Sequence, residues 1–329
     1  MLHIINAFES VTRGSENAAL EAARRLAQDM PVAVWSTVRP PDAVLARARS
    51  SGIEIQTVQP FAGRFPKGGA LLIWGTHFDP GVWLAASRGE SVAIVNELFN
   101  FTNLYQRVLQ VRAAGLPAPT ILHVSSLLRE AACLDGPVLY PPADLAGLLA
   151  IARRQDRSRV VVGRLSRDTP EKHHADDPLL YRALVAEGLG VRLLGATVLA
   201  AALRERAHIE LLPEGAESPA EFLASIDIFF YRTGGEGILV ETSGLVIAEA
   251  MAAGLPVVAA LPGGFADLIE HGENGFLVDS QEQAYDHVLR LAADAALRAS
   301  IGSAARARVA EYFGRDYTGR LLGALGLRA

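Results

Sequence analysis

Glu241-Thr-Ser-Gly-Leu-Val-Ile-Ala-Glu-Ala-Met-Ala-Ala-Gly-Leu-Pro-Val-Val-Ala259 decides how the rest of the chain is read. Residues 244–253 are apolar apart from Glu249 and long enough for a helix, and 256–259 give a short apolar run behind a Gly-Leu break. A largely buried helix followed by a strand with no polar face is the repeating unit of a parallel sheet covered on both sides.

The same alternation extends in both directions. Upstream, Leu2–Asn6, 32–35, 53–58, Ala70–Trp74, 92–95 and 120–124 read as strands, with helices expected over 16–28, 41–50, 82–86, 103–114 and 127–132. In the second half, strands are expected at 159–162, 191–194, 208–212, 226–230, 256–259 and 275–278. Helices are expected there over 178–186, Pro219–Ala224, 244–253, 265–270, Gln281–Ala293 and from 295 to the end. Continuous apolar runs rather than alternating ones predict an α/β chain of doubly wound design. Pro137-Val-Leu-Tyr-Pro-Pro-Ala143 breaks the rhythm, because a Pro-Pro pair fits neither a central ladder nor a helix interior. The boundary is therefore placed between a domain over 1–145 and a domain over 146–329 that keeps the C-terminal helices. Two such domains in tandem are expected to face each other across a cleft at the carboxyl ends of their strands.

Bulk properties narrow the function. At 329 residues and 50% hydrophobic content the chain can bury two sizeable cores. A net charge of -5, with the acidity in the second half, argues against nucleic-acid binding by phosphate neutralisation. One cysteine, Cys133, excludes a disulfide framework and suits a reducing compartment. The N-terminus has no targeting run and no stretch is long and apolar enough to span a bilayer, so a cytoplasmic protein is expected. Peripheral attachment at the inner membrane stays open. The basic cluster 153–159 suits an anionic surface or, more simply, a solvated linker.

Four segments at strand ends carry chemistry. In Thr12-Arg-Gly-Ser-Glu16, Gly14 permits a tight turn and Ser15 can cap a helix whose N–H groups face an anion; an ordinary turn fits equally, and the G-x-G-x-x-G pattern is missing. In Val162-Gly-Arg-Leu-Ser-Arg-Asp-Thr-Pro-Glu-Lys-His-His174, Arg164 or Arg167 offers a fork and Lys172 a point charge for a phosphate, against the alternative of a solvated loop. A metal site from His173, His174, Asp176 and Asp177 is set aside, since adjacent loop histidines seldom converge on one ion. In the opening stretch, backbone N–H groups at Ser243, Gly244 and Leu245 would point at an anion with the helix dipole behind them. Glu241 and Glu249 would accept hydrogen bonds from vicinal hydroxyls, and Glu249 in its apolar setting needs a partner. In Phe229-Phe-Tyr-Arg-Thr-Gly-Gly-Glu-Gly237, Arg232 lies within reach of a phosphate or sugar, or belongs to a plain connector.

The stretch 241–259 with Gly263-Gly264 and Glu270-His-Gly-Glu-Asn-Gly-Phe-Leu-Val278 resembles the E-x7-E region of glycosyltransferase family 4. The Gly163–Lys172 loop is similar to that family's diphosphate loop, and residues 13–16 to its N-terminal glycine loop. The resemblance implies a GT-B architecture of two Rossmann-like domains, the first on the acceptor side and the second on the donor side. It implies a retaining, metal-independent transfer of a hexose from GDP-mannose or a UDP-sugar to a glycan or lipid-linked acceptor, as in polysaccharide biosynthesis. No cofactor is then needed beyond the nucleotide sugar as co-substrate. Glu249 would hold the ribose, Glu241 the transferred sugar, and Arg164 with Lys172 the diphosphate, assisted by backbone N–H groups at Gly244 and Leu245. The nucleobase is expected by the end of the 208–212 strand.

Departures from the family pattern are specific. Thr242 and Ser243 stand where an aromatic is usual, and the longer Arg164-to-Lys172 spacing brings Arg167 into contention. The family's histidine after the fifth strand is missing, Asn96 and Glu97 standing there, so His77 after the preceding strand is the candidate catalytic substitute. A nucleotide-sugar epimerase of the same fold and a catalytically weak subunit are the competing readings.

Overall fold

The apolar runs form parallel strands in a computed structural model, which describes residues 1–10, 14–152, 158–203, 207–234, 240–314 and 316–327. The chain divides into two units, the first spanning Met1–Asp144 and the second Leu145–Gly314, with the C-terminal helix grouped with the first.

Unit 1 runs β1 (Leu2–Asn6), α1 (Gly14–Leu26), β2 (Val32–Ser36), α2 (Asp42–Ser50), β3 (Ile55–Thr57), β4 (Ala70–Trp74), β5 (Ser91–Asn96), α3 (Phe101–Ala113), β6 (Thr120–His123) and α4 (Ser126–Ala132). Its sheet has the order β3-β2-β1-β4-β5-β6. β1 and β4 are buried at every position because helices cover both faces. Ile5, Leu71, Ile73, Ile94 and Leu104 share one core cluster.

Unit 2 runs α5 (Ala146–Leu149), β7 (Val161–Leu165), α6 (Asp177–Ala186), β8 (Gly190–Leu194), α7 (Ala200–Leu203), β9 (Ile209–Leu212), α8 (Pro219–Ala224), β10 (Ile228–Tyr231), α9 (Leu245–Ala252), β11 (Val257–Ala260), β12 (Phe276–Val278), α10 (Gln281–Ala293) and α11 (Ala295–Tyr312). Its sheet has the order β12-β11-β10-β7-β8-β9. Val162, Leu180, Leu193, Phe230 and Val258 belong to its core.

Both sheets share one winding. The chain enters in the middle, at β1 or β7, winds to one edge, and returns beside its first strand at β4 or β10. At that switch point the connections leave in opposite directions and open a crevice at the carboxyl ends.

Four expectations are corrected. The second domain does not run to 329: the last helix, α12 (Asp316–Ala324), packs on unit 1, where the Tyr317 hydroxyl donates to the Tyr140 carbonyl at 2.7 Å and its ring lies 5.2 Å from the Arg25 guanidinium. The strand expected at 159–162 is β7, shifted so that Gly163 and Arg164 lie inside it. The helices expected at 82–86 and 265–270 are 3-10 turns, Val82–Ser87 and Gly264–Asp267. Finally, a 3-10 turn at Pro170–Lys172 interrupts what read as a plain loop. Among the described residues no helix is long and apolar enough to cross a membrane.

Candidate functional site

At the switch point of unit 2 a charged network sits at the strand ends. Glu241 is its focus: Lys172 Nζ donates to Glu241 Oε2 at 2.7 Å, and the Tyr231 hydroxyl donates to the same oxygen at 2.8 Å. Burial would raise the carboxyl, but the Lys172 charge and hydrogen bond outweigh it and hold Glu241 below the usual carboxylate range. The Lys172 and Glu241 side chains keep 13% and 14% exposure, so the pair faces an opening instead of being sealed. The Glu241 carbonyl accepts from Gly264 N–H at 2.8 Å, which pins the start of the turn leading into α9.

Gly244 ends that turn at φ 65°, a left-handed conformation that side chains resist. A Cβ there would lie 3.0 Å from Phe265 Cδ1 and 3.2 Å from Glu241 Cγ. α9 then starts at Leu245, and its first backbone N–H groups have no partner in the helix. Ser243 and Leu245 are half-buried beside it.

Glu249 lies one turn into α9 and is half-buried. Burial alone pushes its carboxyl up to about 7, and no hydrogen-bond or charged partner meets it among the described residues. Ile247, Ala248, Ala250 and Met251 around it are buried. A carboxyl in this setting is destabilising in the isolated chain and is the kind of group that a polar ligand satisfies.

The arginines have other contacts than expected. Arg164 is fully buried, and its guanidinium donates to the carbonyls of Arg232 and Lys172. It lies 4.6 Å from the centre of the Tyr231 ring and 3.7 Å from Asp177 Oδ2. Arg232, expected to reach a phosphate or sugar, donates from Nε to Asp177 Oδ1 at 2.8 Å and from Nη2 to Gln281 at 3.2 Å. The added length of β7 takes the Arg164 side chain into the interior, where the buried Asp177 balances both cations. Arg164 is thus a clamp that fixes the backbone of Lys172, and Arg167 is the exposed arginine of the loop. Asp177, considered above only as a metal ligand, and Tyr231, the terminal residue of an apolar strand that reads as core, are the members of this network that the sequence does not assign to it. His173 bonds the Gly195 carbonyl at 3.0 Å, and Asp177 accepts from His174 N–H at 3.1 Å, so both are engaged in loop structure.

In unit 1 the switch point gathers Ser15 from α1, His77 after β4 and Glu97 after β5. Ser15 Oγ donates to Glu97 Oε1 at 2.5 Å, and Asn6 Nδ2 donates to Ser15 Oγ at 3.2 Å. His77 Nδ1 stands 3.7 Å from the same Glu97 oxygen. Gly14 begins α1 and is exposed, so Ser15, expected to cap the helix, lies inside its first turn with its hydroxyl on Glu97 instead. Arg13 of the N-terminal glycine loop lies outside the described residues, as do 235–239 of the loop after Arg232 and 153–157 of the basic cluster.

Comparison with known proteins finds relatives in sequence and in fold. Residues 182–308 match the family model described as Glycosyl transferases group 1. The chain is 42% identical over 106 residues to D-inositol 3-phosphate glycosyltransferase of Streptomyces avermitilis, covering 32% of this chain and 22% of the relative. It is 38% identical over 93 residues to GDP-mannose-dependent alpha-(1-6)-phosphatidylinositol monomannoside mannosyltransferase of Mycobacterium tuberculosis, covering 27% and 24%. The alignments thus span under a quarter of the length of these curated relatives. In fold, 99% of the chain superposes on 99% of HepE from Anabaena, solved with UDP and glucose, at a TM-score of 0.74 and 18% identity. WaaG, a glycosyltransferase of lipopolysaccharide biosynthesis, gives 0.63 at 12% identity over 99% of each chain. The expected GT-B fold is the fold of these structures.

Proposed function

We propose, on the premise that a chain with the GT-B fold carries a group 1 glycosyltransferase segment at 182–308, that it is a retaining glycosyltransferase moving a hexose from a nucleotide diphosphate sugar to a glycan or lipid-linked acceptor. The observation that carries this reading is Glu249: a half-buried carboxyl raised to about 7 and without a partner among the described residues, one turn inside a helix whose N–H groups start at the same turn. A ribose diol supplies two hydroxyl donors to such a carboxylate, and the helix start supplies N–H groups to a phosphate.

The other residues divide the work. Lys172 neutralises the diphosphate as the bond from phosphate oxygen to the anomeric carbon breaks, with Arg167 adding charge from the loop. Arg164 acts indirectly, by holding the Lys172 carbonyl, and Arg232 by sharing Asp177. Ser243, Gly244 and Leu245 offer backbone N–H groups, and Glu241 takes hydroxyls of the transferred sugar. Gly14 and Ser15 offer an anion the first backbone N–H groups of α1, the Ser15 hydroxyl being given to Glu97, and His77 serves the acceptor side. Preorganised positive charge at the leaving group makes metal-independent transfer feasible, and no cofactor is called for. GDP-mannose and UDP-hexoses are the favoured donors, since a relative's name specifies the first and HepE was solved with UDP. A cytoplasmic location, with peripheral membrane contact where the acceptor is lipid-linked, fits this reading.

Nuclear magnetic resonance of the products tests the reaction. With an α-linked nucleotide sugar the anomeric proton of the first product is expected to show the α configuration, with the rate unchanged by EDTA. A β product, or turnover that needs added divalent metal, would overturn this assignment.

A further inference from the structure

We propose that Glu97, Ser15 and His77 form a carbohydrate-hydroxyl site on unit 1, where a sugar of the acceptor docks. This rests on the sugar-transfer reading and adds the residues that recognise the second substrate. Three separate strand-end segments deliver the groups, after β1, β4 and β5, at the switch point of the sheet.

The geometry is built rather than incidental. The Asn6 carboxamide is fixed by Ala7 N–H donating to its Oδ1 at 2.6 Å, and its Nδ2 donates to Ser15 Oγ. The Ser15 hydrogen is therefore directed at Glu97 Oε1, with His77 Nδ1 3.7 Å from the same atom. Gly75 makes the approach feasible: at φ 91° a Cβ would stand 2.5 Å from Glu97 Oε1 and 2.9 Å from His77 Nδ1. Exposures of 11% for Glu97 and 22% for His77 leave the cluster open to a ligand. A hydroxyl, a carboxyl and an imidazole in one corner provide donors and acceptors for a vicinal diol.

Charge around the carboxyl supports this use. Burial, against the Ser15 hydrogen bond, pushes Glu97 up to about 7, and the charge of Glu16 from α1 adds to the rise. Glu16 itself accepts from Ser10 N–H at 2.7 Å. Glu97 thus loses its one donor hydrogen near neutrality and becomes a pure acceptor, so sugar affinity should change with pH there.

The test uses the full chain with 13C-labelled histidine, titrated with methyl α-D-glucopyranoside and methyl α-D-mannopyranoside. The His77 resonance, assigned with His77→Asn, is expected to move saturably with at least one glycoside. Glu97→Gln is expected to weaken that affinity about ten-fold, the effect of losing one charge-assisted hydrogen bond. It is also expected to reduce the variation between about pH 6 and pH 8. A thermal-shift measurement with UDP and GDP on the same variant reports separately on the nucleotide site and is expected to match wild type. No saturable shift with either glycoside, or equal affinities in wild type and Glu97→Gln, would overturn the proposal. So would a Glu97→Gln chain that also loses its nucleotide response, since that marks a structural role. If glycosides bind as expected while UDP and GDP fail on wild type, the nucleotide-sugar reading falls and the carbohydrate site stands.

Discussion

Glu249 and Glu241 stand on one short segment and are poised in opposite electrostatic senses. Glu249 is raised from 4.5 to about 7. Between those values the folded chain holds a proton that the unfolded chain has released, so stability falls as pH rises across the window and the loss is complete above it. Glu249→Gln removes that penalty, and we expect it to stabilise the ligand-free protein by about 2 kcal/mol at pH 8 and by little at pH 4. Scanning calorimetry at both pH values checks this; a wild-type melting temperature at pH 8 would mean that the carboxyl has a partner. Glu241 has the reverse sign. Its carboxyl is held low, so its contribution is present above 4.5 and is lost as pH falls through its folded value. Glu241→Gln is expected to cost about 1–3 kcal/mol at neutral pH, measured by urea unfolding, because Lys172 loses its counter-charge in a poorly solvated corner. Glu249 was legible in the sequence because a lone carboxylate among apolar helix residues has few outcomes. The fate of Arg164 was not: which way a strand-end side chain turns depends on where the strand ends, and that boundary moved.

The turn into α9 and the 3-10 segment before α6 place these side chains. Gly244→Ala forces a Cβ into a left-handed backbone against Phe265 and Glu241. The strain should cost about 1–3 kcal/mol and weaken nucleotide binding with it, both read in one set of calorimetric titrations. Retained affinity would show that the turn does not position the binding groups. Asp177 is the keystone of the second segment, since it accepts from Arg232 and balances Arg164. Asp177→Asn leaves two buried guanidinium groups short of charge, and a loss of about 3 kcal/mol is expected in urea unfolding. The strands were legible as elements because an apolar run covered on both faces needs no periodicity to announce itself. The short 3-10 turns were not, since three residues carry too little pattern to separate a turn from a loop.

At the scale of the molecule, apolar alternation predicts two doubly wound units, while strand order and the final helix follow from packing between distant segments. α12 returns to unit 1 because Tyr317, Leu321 and Leu322 are buried there, a contact linking positions far apart in sequence. Truncation after residue 314 is expected to lower the melting temperature of unit 1, and limited proteolysis should then cut within 1–144 before unit 2. Equal resistance would contradict the assignment of α12. The central claim is that unit 2 binds a nucleoside diphosphate through Glu249. Isothermal titration of UDP and GDP into wild type and Glu249→Gln tests it most directly. The account predicts saturable binding of at least one nucleotide by wild type and a loss of about ten-fold or more in the variant, from a ribose hydrogen bond to a charged group. Absence of binding by wild type, or equal affinity in the two proteins, would contradict it.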